Sequence, residues 1–150
     1  QETNEFSKKE VQKVFSTNET DSLNFLAHQY FIRNEFDSCI KILSKYSKSS
    51  SGYETPYSLL IKGLIKRSDG CLSESLGLFK QTYALLKSTN DTSYIFKEIA
   101  KTFLLLGKFS SSIDMYCNVL EKNPEDWDCL YHLGLCYIEF KKNSMMQKII

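Results

Sequence analysis

Small residues recur along this chain at a nearly constant interval. Four of them, spaced 36, 37 and 34 residues apart, are Ala27, Gly63, Ala100 and Gly134. Twelve residues after each of the first three comes a second small residue, namely Cys39, Ser75 and Ser112. A small side chain lets two helix backbones approach closely where they cross. A fixed period near 34 residues therefore predicts helical hairpins stacked on one another in a repeat protein.

Composition agrees with a helical domain and excludes several classes of function. The chain of 150 residues holds only two prolines and six glycines, and its formal net charge is +1. We therefore expect neither a nucleic-acid binder nor a membrane-surface binder. The sequence shows no apolar run of 18 residues and no visible signal peptide, which predicts no membrane insertion. Five cysteines at irregular spacings indicate reduced thiols in a reducing compartment.

Apolar periodicity and turn residues divide the chain into helix pairs. Apolar residues fall at i, i+3, i+4 and i+7 from Phe96, and a comparable stripe begins at Leu23. Thr55 followed by Pro56 predicts a helix start, whereas Asn34, Gly70 and Gly107 predict helix ends. We expect an amino-terminal capping helix or arm over 1–19 and a repeat array over 20–150. The predicted repeats span about 20–55, 56–92, 93–126 and 127–150. The last is incomplete and leaves only 143–150 for its second helix.

The third repeat carries the most specific motif in the chain. Its motif residues are Phe96, Ile99, Ala100, Phe103, Gly107, Ser112, Tyr116, Val119 and Pro124. In this order and spacing they resemble the tetratricopeptide repeat, and the resemblance extends over about residues 20–150. It implies an all-α fold, a right-handed α-solenoid of antiparallel helix pairs. Lys62 and Lys66 depart from the pattern in the second repeat, and Met146 stands where the fourth repeat should have a small residue.

The resemblance also predicts a protein-binding face. In such solenoids the concave side is formed by the first helix of each pair. The positions that correspond to it here are Asn24, His28, Phe31, Tyr57, Leu64, Arg67, Tyr94, Lys97, Lys101, Asp128, Tyr131 and Leu135. Aromatic, aliphatic and cationic groups together suit an extended peptide or a helix, although the same residues could simply face solvent or neighbouring repeats. By register, Tyr30, Phe103 and Tyr137 belong to the core instead.

Two constellations that suggest chemistry have simpler structural explanations. Cys129, His132 and Cys136 share one helix face at a zinc-like spacing, but Cys136 occupies a packing position and a fourth ligand is missing nearby. His28 and Cys39 could suggest a catalytic pair, but Cys39 falls at the close helix crossing, where a nucleophile is inaccessible. We therefore predict no catalytic residues, no metal and no cofactor, and we expect that the protein is not an enzyme.

A closer resemblance is to the amino-terminal repeats of a tetratricopeptide subunit of the BBSome. It rests on residues 36–39, 70–79, 103–108, 126–127 and 133–138. The resemblance implies a scaffold for the trafficking of ciliary membrane proteins, in the cytoplasm and at the cilium, basal body and centriolar satellites. Its implied partners are other BBSome subunits and centriolar-satellite proteins. Self-association through an open carboxyl-terminal end is a further expectation.

Two alternatives remain open at the level of the sequence. One is a different repeat scaffold, such as a cell-cycle ligase subunit or a co-chaperone. A carboxylate-binding clamp of the chaperone type is not supported, because Asn24, His28 and Ile61 occupy its key positions. The other alternative is the substrate-binding arm of a glycosyltransferase.

Overall fold

The computed structural model describes residues 21–49, 54–89 and 91–149, and every regular element in those ranges is an α-helix. The described helices are α1 (Asp21–Ile32), α2 (Phe36–Ser49), α3 (Pro56–Ser68), α4 (Leu72–Leu86), α5 (Ser93–Leu105), α6 (Phe109–Lys122) and α7 (Trp127–Gln147). The predicted segment 1–19 lies outside the described residues. Among the helices of the described part, none is both long and apolar enough to span a bilayer.

Neighbouring helices pack in pairs along the chain. Helix α1 packs on α2, α3 on α4 and α5 on α6, while α4 joins the second pair to the third. Helix α7 packs mainly on α6. The predicted all-α solenoid of antiparallel helix pairs is confirmed. The exact repeat boundaries predicted from the sequence remain a proposal.

Each of the three pairs turns at a residue with left-handed backbone geometry. The φ angle is 60° at Asn34, 80° at Gly70 and 74° at Gly107. In each case the next residue's N–H bonds back to a carbonyl five residues earlier, as in Lys108 to Phe103 at 2.9 Å. This is the usual hydrogen bond of a helix that ends on glycine or asparagine, and it confirms the three predicted turns.

Polar side chains fix two helix starts. Thr55 caps α3 by accepting a 3.1 Å hydrogen bond from the backbone N–H of Ser58, with Pro56 as the first helical residue. Asp126 caps α7 in the same way, accepting a 2.9 Å bond from the N–H of Cys129. Each cap satisfies a helix N–H that would otherwise lack a partner, which confirms the predicted start at Thr55.

Three of the four periodic small residues lie at close helix crossings. Ala27 and Ala100 are fully buried. At Gly63 an added Cβ would lie 2.6 Å from a ring carbon of Phe79, so α3 and α4 approach closely only because this residue lacks a side chain. The repeat period in the sequence thus marks real backbone contacts in the first three pairs.

The prediction for Gly134 is wrong, and so is the prediction of a second helix from Asn143. Gly134 is exposed, and a Cβ added there would meet no atom within 4 Å. Helix α7 continues unbroken to Gln147 because Lys141 stands 34 residues after Gly107, where a left-handed turn residue would be needed. For the same reason Tyr137 is 53% exposed and does not belong to the core.

Candidate protein-binding face

The predicted binding residues differ widely in their accessibility. Those buried are His28, Phe31, Tyr57, Leu64, Tyr94 and Lys97. Those partly buried are Asn24, Arg67, Lys101, Asp128 and Leu135, and the exposed one is Tyr131. The chain's own side chains therefore close much of this face along α1 and α3. The accessible part lies over α5 and α7, and binding of a partner there stays a prediction.

An ion pair links α3 to α5 at the centre of this face. The Arg67 guanidinium lies 2.5 Å from the carboxylate of Glu98 and also donates to the carbonyl oxygen of Glu98 at 3.3 Å. Glu98 is fully buried, and Lys101 adds a second cation 3.6 Å from its carboxylate. A buried carboxylate needs such compensation, because removing it from water costs several kcal/mol. Arg67 and Glu98 thus fix the relative positions of two first helices.

A second set of ion pairs links α5 to the start of α7. Lys97 lies 3.1 Å from Asp126 and 3.6 Å from Asp128, and Lys101 lies 3.5 Å from Asp128. Nδ1 of His132 lies 3.1 Å from the carboxylate and 2.8 Å from the carbonyl oxygen of Asp128. Both oxygens only accept hydrogen bonds, so this geometry places the hydrogen on Nδ1 of His132. We call these seven residues, Arg67, Lys97, Glu98, Lys101, Asp126, Asp128 and His132, the ion-pair network.

The ion-pair network holds its buried acids in the charged form. Burial raises the pKa of Glu98, but the positive charges of Arg67 and Lys101 outweigh burial and lower it below its ordinary value. Burial likewise opposes ionisation of Asp128, whereas the hydrogen bond from His132 and the charge of Lys101 lower its pKa. The network pairs three permanent cations with three carboxylates, which leaves no surplus charge to attract a polyanion.

Sequence reasoning missed Glu98 and the pairing of the predicted cations. A glutamate between Lys97 and Ile99 reads as a solvent-facing charge on an amphipathic helix. The available signal was the alternation of charge between successive first helices: Arg67, then Glu98 and Lys101, then Asp128. Residues at matching positions of adjacent repeats become neighbours once the repeats stack.

The thiols and His132 are engaged in packing and hydrogen bonds. Cys129 Sγ donates to the carbonyl oxygen of Tyr116 at 3.3 Å, and Cys136 Sγ lies 3.1 Å from Ser112 Oγ. Burial raises the pKa of Cys129 to about 12 and that of Cys39 to about 11, which disfavours the reactive thiolate. The described residues contain no group of three or more potential ligands arranged to hold a metal ion.

Comparison with known proteins places this geometry among repeat scaffolds. The chain is 31% identical over 137 residues to BBSome complex member BBS4 of Xenopus tropicalis, covering 91% of this chain and 26% of that protein. It is 30% identical over 124 residues to BBS4 of Bos taurus, covering 83% and 23%. The chain resembles BBS4. It is also 29% identical over 97 residues to Photosystem I assembly protein Ycf3 of Cuscuta gronovii, covering 65% and 58%.

These matches confirm the resemblance to tetratricopeptide-repeat proteins and, within them, to BBS4. No family model matches the chain. The chain spans about a quarter of the length of the BBS4 relatives it matches. The names of these relatives describe a complex member and an assembly protein, and neither name denotes an enzyme.

Proposed function

We propose that this protein is a protein–protein interaction scaffold, acting as a tetratricopeptide subunit of a BBSome-like adaptor complex in ciliary membrane-protein trafficking. The observation that carries the proposal is the match to BBS4 across 91% of the chain, made by a fold of packed helix pairs. Its proposed partners are other subunits of that complex and centriolar-satellite proteins. Its proposed location is the cytoplasm, basal body and cilium. Self-association through α7 belongs to the same proposal.

The proposed contact surface is the accessible part of the binding face, over α5 and α7. Leu135 and Tyr131 offer apolar area there, next to the charged groups of Lys101 and Asp128. The ion-pair network supports this role because it holds α3, α5 and α7 in a fixed arrangement before a partner arrives. A rigid surface loses little conformational entropy on binding.

Affinity purification tests the proposal. The tagged chain is expressed in ciliated cells, and co-purifying proteins are identified by mass spectrometry. We expect BBSome subunits to be recovered, and we expect Leu135→Glu to reduce their recovery because it places a charge on the proposed contact surface. Leu85→Glu is the matched control, since Leu85 is 51% exposed on α4, away from this surface.

The experiment has a clear contrary outcome. Recovery of no BBSome subunit with a folded wild-type chain would remove the adaptor role. Equal loss of partners in both glutamate variants would instead show that the proposed contact surface is wrongly placed. Circular dichroism of each variant establishes that the chain remains folded.

A further inference from the structure

Helix α7 carries a second apolar face on the side turned away from α6. Cys129, Leu133 and Cys136 pack inward in a core cluster shared with α5 and α6. The opposite side is a single stripe along the helix, formed by Trp127, Leu130, Tyr131, Gly134, Tyr137, Ile138, Lys141 and Met145. The six large apolar side chains of this stripe are each at least 39% exposed. We call these eight residues the outer face of α7.

The outer face is large for a surface that serves no partner. Three aromatic and three aliphatic side chains expose roughly 600 Å² of apolar area, at the upper end for a patch on a monomer. A stable interface buries about 800 Å² per partner. The outer face therefore supplies most of the area that one side of an interface requires.

Gly134 lies at the centre of the outer face and leaves room for a close approach. A Cβ added there would meet no atom within 4 Å. In the three complete pairs, the small residue of the first helix is covered by a second helix. At Gly134 that cover is missing in the described residues because α7 continues past Lys141 without turning. A helix from elsewhere can approach at this point to the 8–10 Å typical of packed helices.

The charges around the outer face are antisymmetric about Gly134. Glu125, Asp126 and Asp128 precede the centre, whereas Lys141, Lys142 and Lys148 follow it. A second α7 crossing antiparallel at Gly134 sets position 134+k opposite position 134−k. Lys142 then lies near Glu125 and Asp126 of the second copy, while a parallel arrangement would set lysine against lysine.

The apolar residues show the same self-complementarity. In the antiparallel arrangement, Ile138 lies opposite Leu130 of the second copy and Tyr137 lies opposite Tyr131 of the second copy. Lys141 lies opposite Trp127 of the second copy, within reach of a cation–π contact. Each contact occurs twice, as a two-fold interface requires.

We propose that the outer face of α7 binds a second copy of this chain, with the two α7 helices antiparallel and crossing at Gly134. Charge antisymmetry selects this occupant, because an unrelated helix or a lipid surface has no reason to match acidic and basic groups about Gly134. The proposal does not depend on the adaptor role, since it concerns the side of α7 that the other helices leave uncovered.

Light scattering coupled to size-exclusion chromatography tests the association. We expect the 150-residue chain to reach twice its monomer mass as its concentration rises. Gly134→Lys places two like charges at the two-fold axis, which lowers the association constant by about 100-fold. Gly134→Ala is the matched control and keeps the dimer. Both variants fit the folded monomer, because the site is empty.

Zero-length carbodiimide cross-linking tests the orientation, using a mixture of ¹⁴N-labelled and ¹⁵N-labelled chains. We expect mixed-isotope links from Lys142 to Glu125 or Asp126. Within one copy these groups are separated by roughly 25 Å along α7, so an internal link cannot form. A chain that stays monomeric, a Gly134→Lys variant that dimerises like wild type, or mixed links confined to Lys142 and Glu139 would each overturn the proposal.

Discussion

The hydroxyl of Ser112 donates a 2.7 Å hydrogen bond to the carbonyl oxygen of Ala100, twelve residues earlier on the paired helix. Ser75 makes the same bond to Gly63 at 2.8 Å. Both serines are fully buried. The second small residue of each of these pairs therefore does more than leave space, since it also ties the two backbones together at their closest point.

Replacement of Ser112 measures this contact. Ser112→Ala removes the hydroxyl and should lower the free energy of unfolding by about 1 kcal/mol. Ser112→Leu should cost about 1–3 kcal/mol, because the closely packed crossing cannot accept a larger side chain. Urea unfolding followed by circular dichroism gives both values. Ser110→Ala, an exposed position on the same helix, should change stability by less than about 0.5 kcal/mol. A Ser112→Ala value as small as this control would contradict the role assigned to the bond.

Gly63 and Gly134 should respond in opposite directions to the same substitution. In Gly63→Ala the new Cβ would lie 2.6 Å from the Phe79 ring, which should destabilise the fold by about 1–3 kcal/mol. In Gly134→Ala the Cβ meets nothing within 4 Å, so the higher helix propensity of alanine should stabilise the fold by up to about 1 kcal/mol. Urea titrations of the two variants at low protein concentration test this. Destabilisation by Gly134→Ala would show that a helix covers this glycine after all.

The fourth repeat shows why the sequence prediction succeeded in three pairs and failed at the end. The period of small residues correctly located the crossings at Ala27, Gly63 and Ala100. It misplaced Gly134 because a small residue marks a crossing only where a second helix returns. That return depends on a left-handed turn residue, and Lys141 at this position indicated that α7 would continue.

The ion-pair network was beyond the reach of single-position reasoning. Charged side chains are seldom fully buried, so Glu98 reads as surface. Its partner Arg67 lies 31 residues earlier, and only the stacking of α3 against α5 brings them together. The sequence did identify Lys97, Lys101 and Asp128 as members of one face. It could not show that they neutralise one another there.

Removal of one buried charge should be costly. Glu98→Gln leaves Arg67 without its anion, and we expect a loss of about 3 kcal/mol in the free energy of unfolding. Glu74→Gln is the matched control, because the Lys66–Glu74 pair is exposed at 42% and 63% and should contribute less than about 1 kcal/mol. Chemical denaturation of both variants at neutral pH makes the comparison. Equal, small effects would mean that water reaches Glu98.

The ion-pair network should also make stability depend on pH. The pKa of Asp128 is lowered in the folded state: burial opposes the shift, but His132 and the two lysines outweigh burial. A lowered folded-state pKa gives stability that is present above the unfolded value of about 3.9 and is lost as pH falls through the folded value. We expect the free energy of unfolding to fall steeply below about pH 4, and less steeply in Asp128→Asn. Urea titrations from neutral pH downward measure both slopes, and identical slopes would exclude Asp128 as a source.

The turn residues permit a final exchange between Gly107 and Lys141. Gly107 has a φ angle of 74° with open space around it, so Gly107→Ala should cost about 1 kcal/mol through backbone strain alone. Lys141→Gly places glycine inside α7 and should weaken the helix by a similar amount.

Amide hydrogen exchange separates these two effects. In Lys141→Gly, exchange should accelerate from residue 141 to Gln147 while α5 and α6 remain protected, because the substitution acts locally on the end of a single helix. In Gly107→Ala, exchange should accelerate across the pair that Gly107 joins. Unchanged protection beyond residue 141 would show that Lys141 does not hold α7 straight, and that contacts from Phe140 onward do so instead.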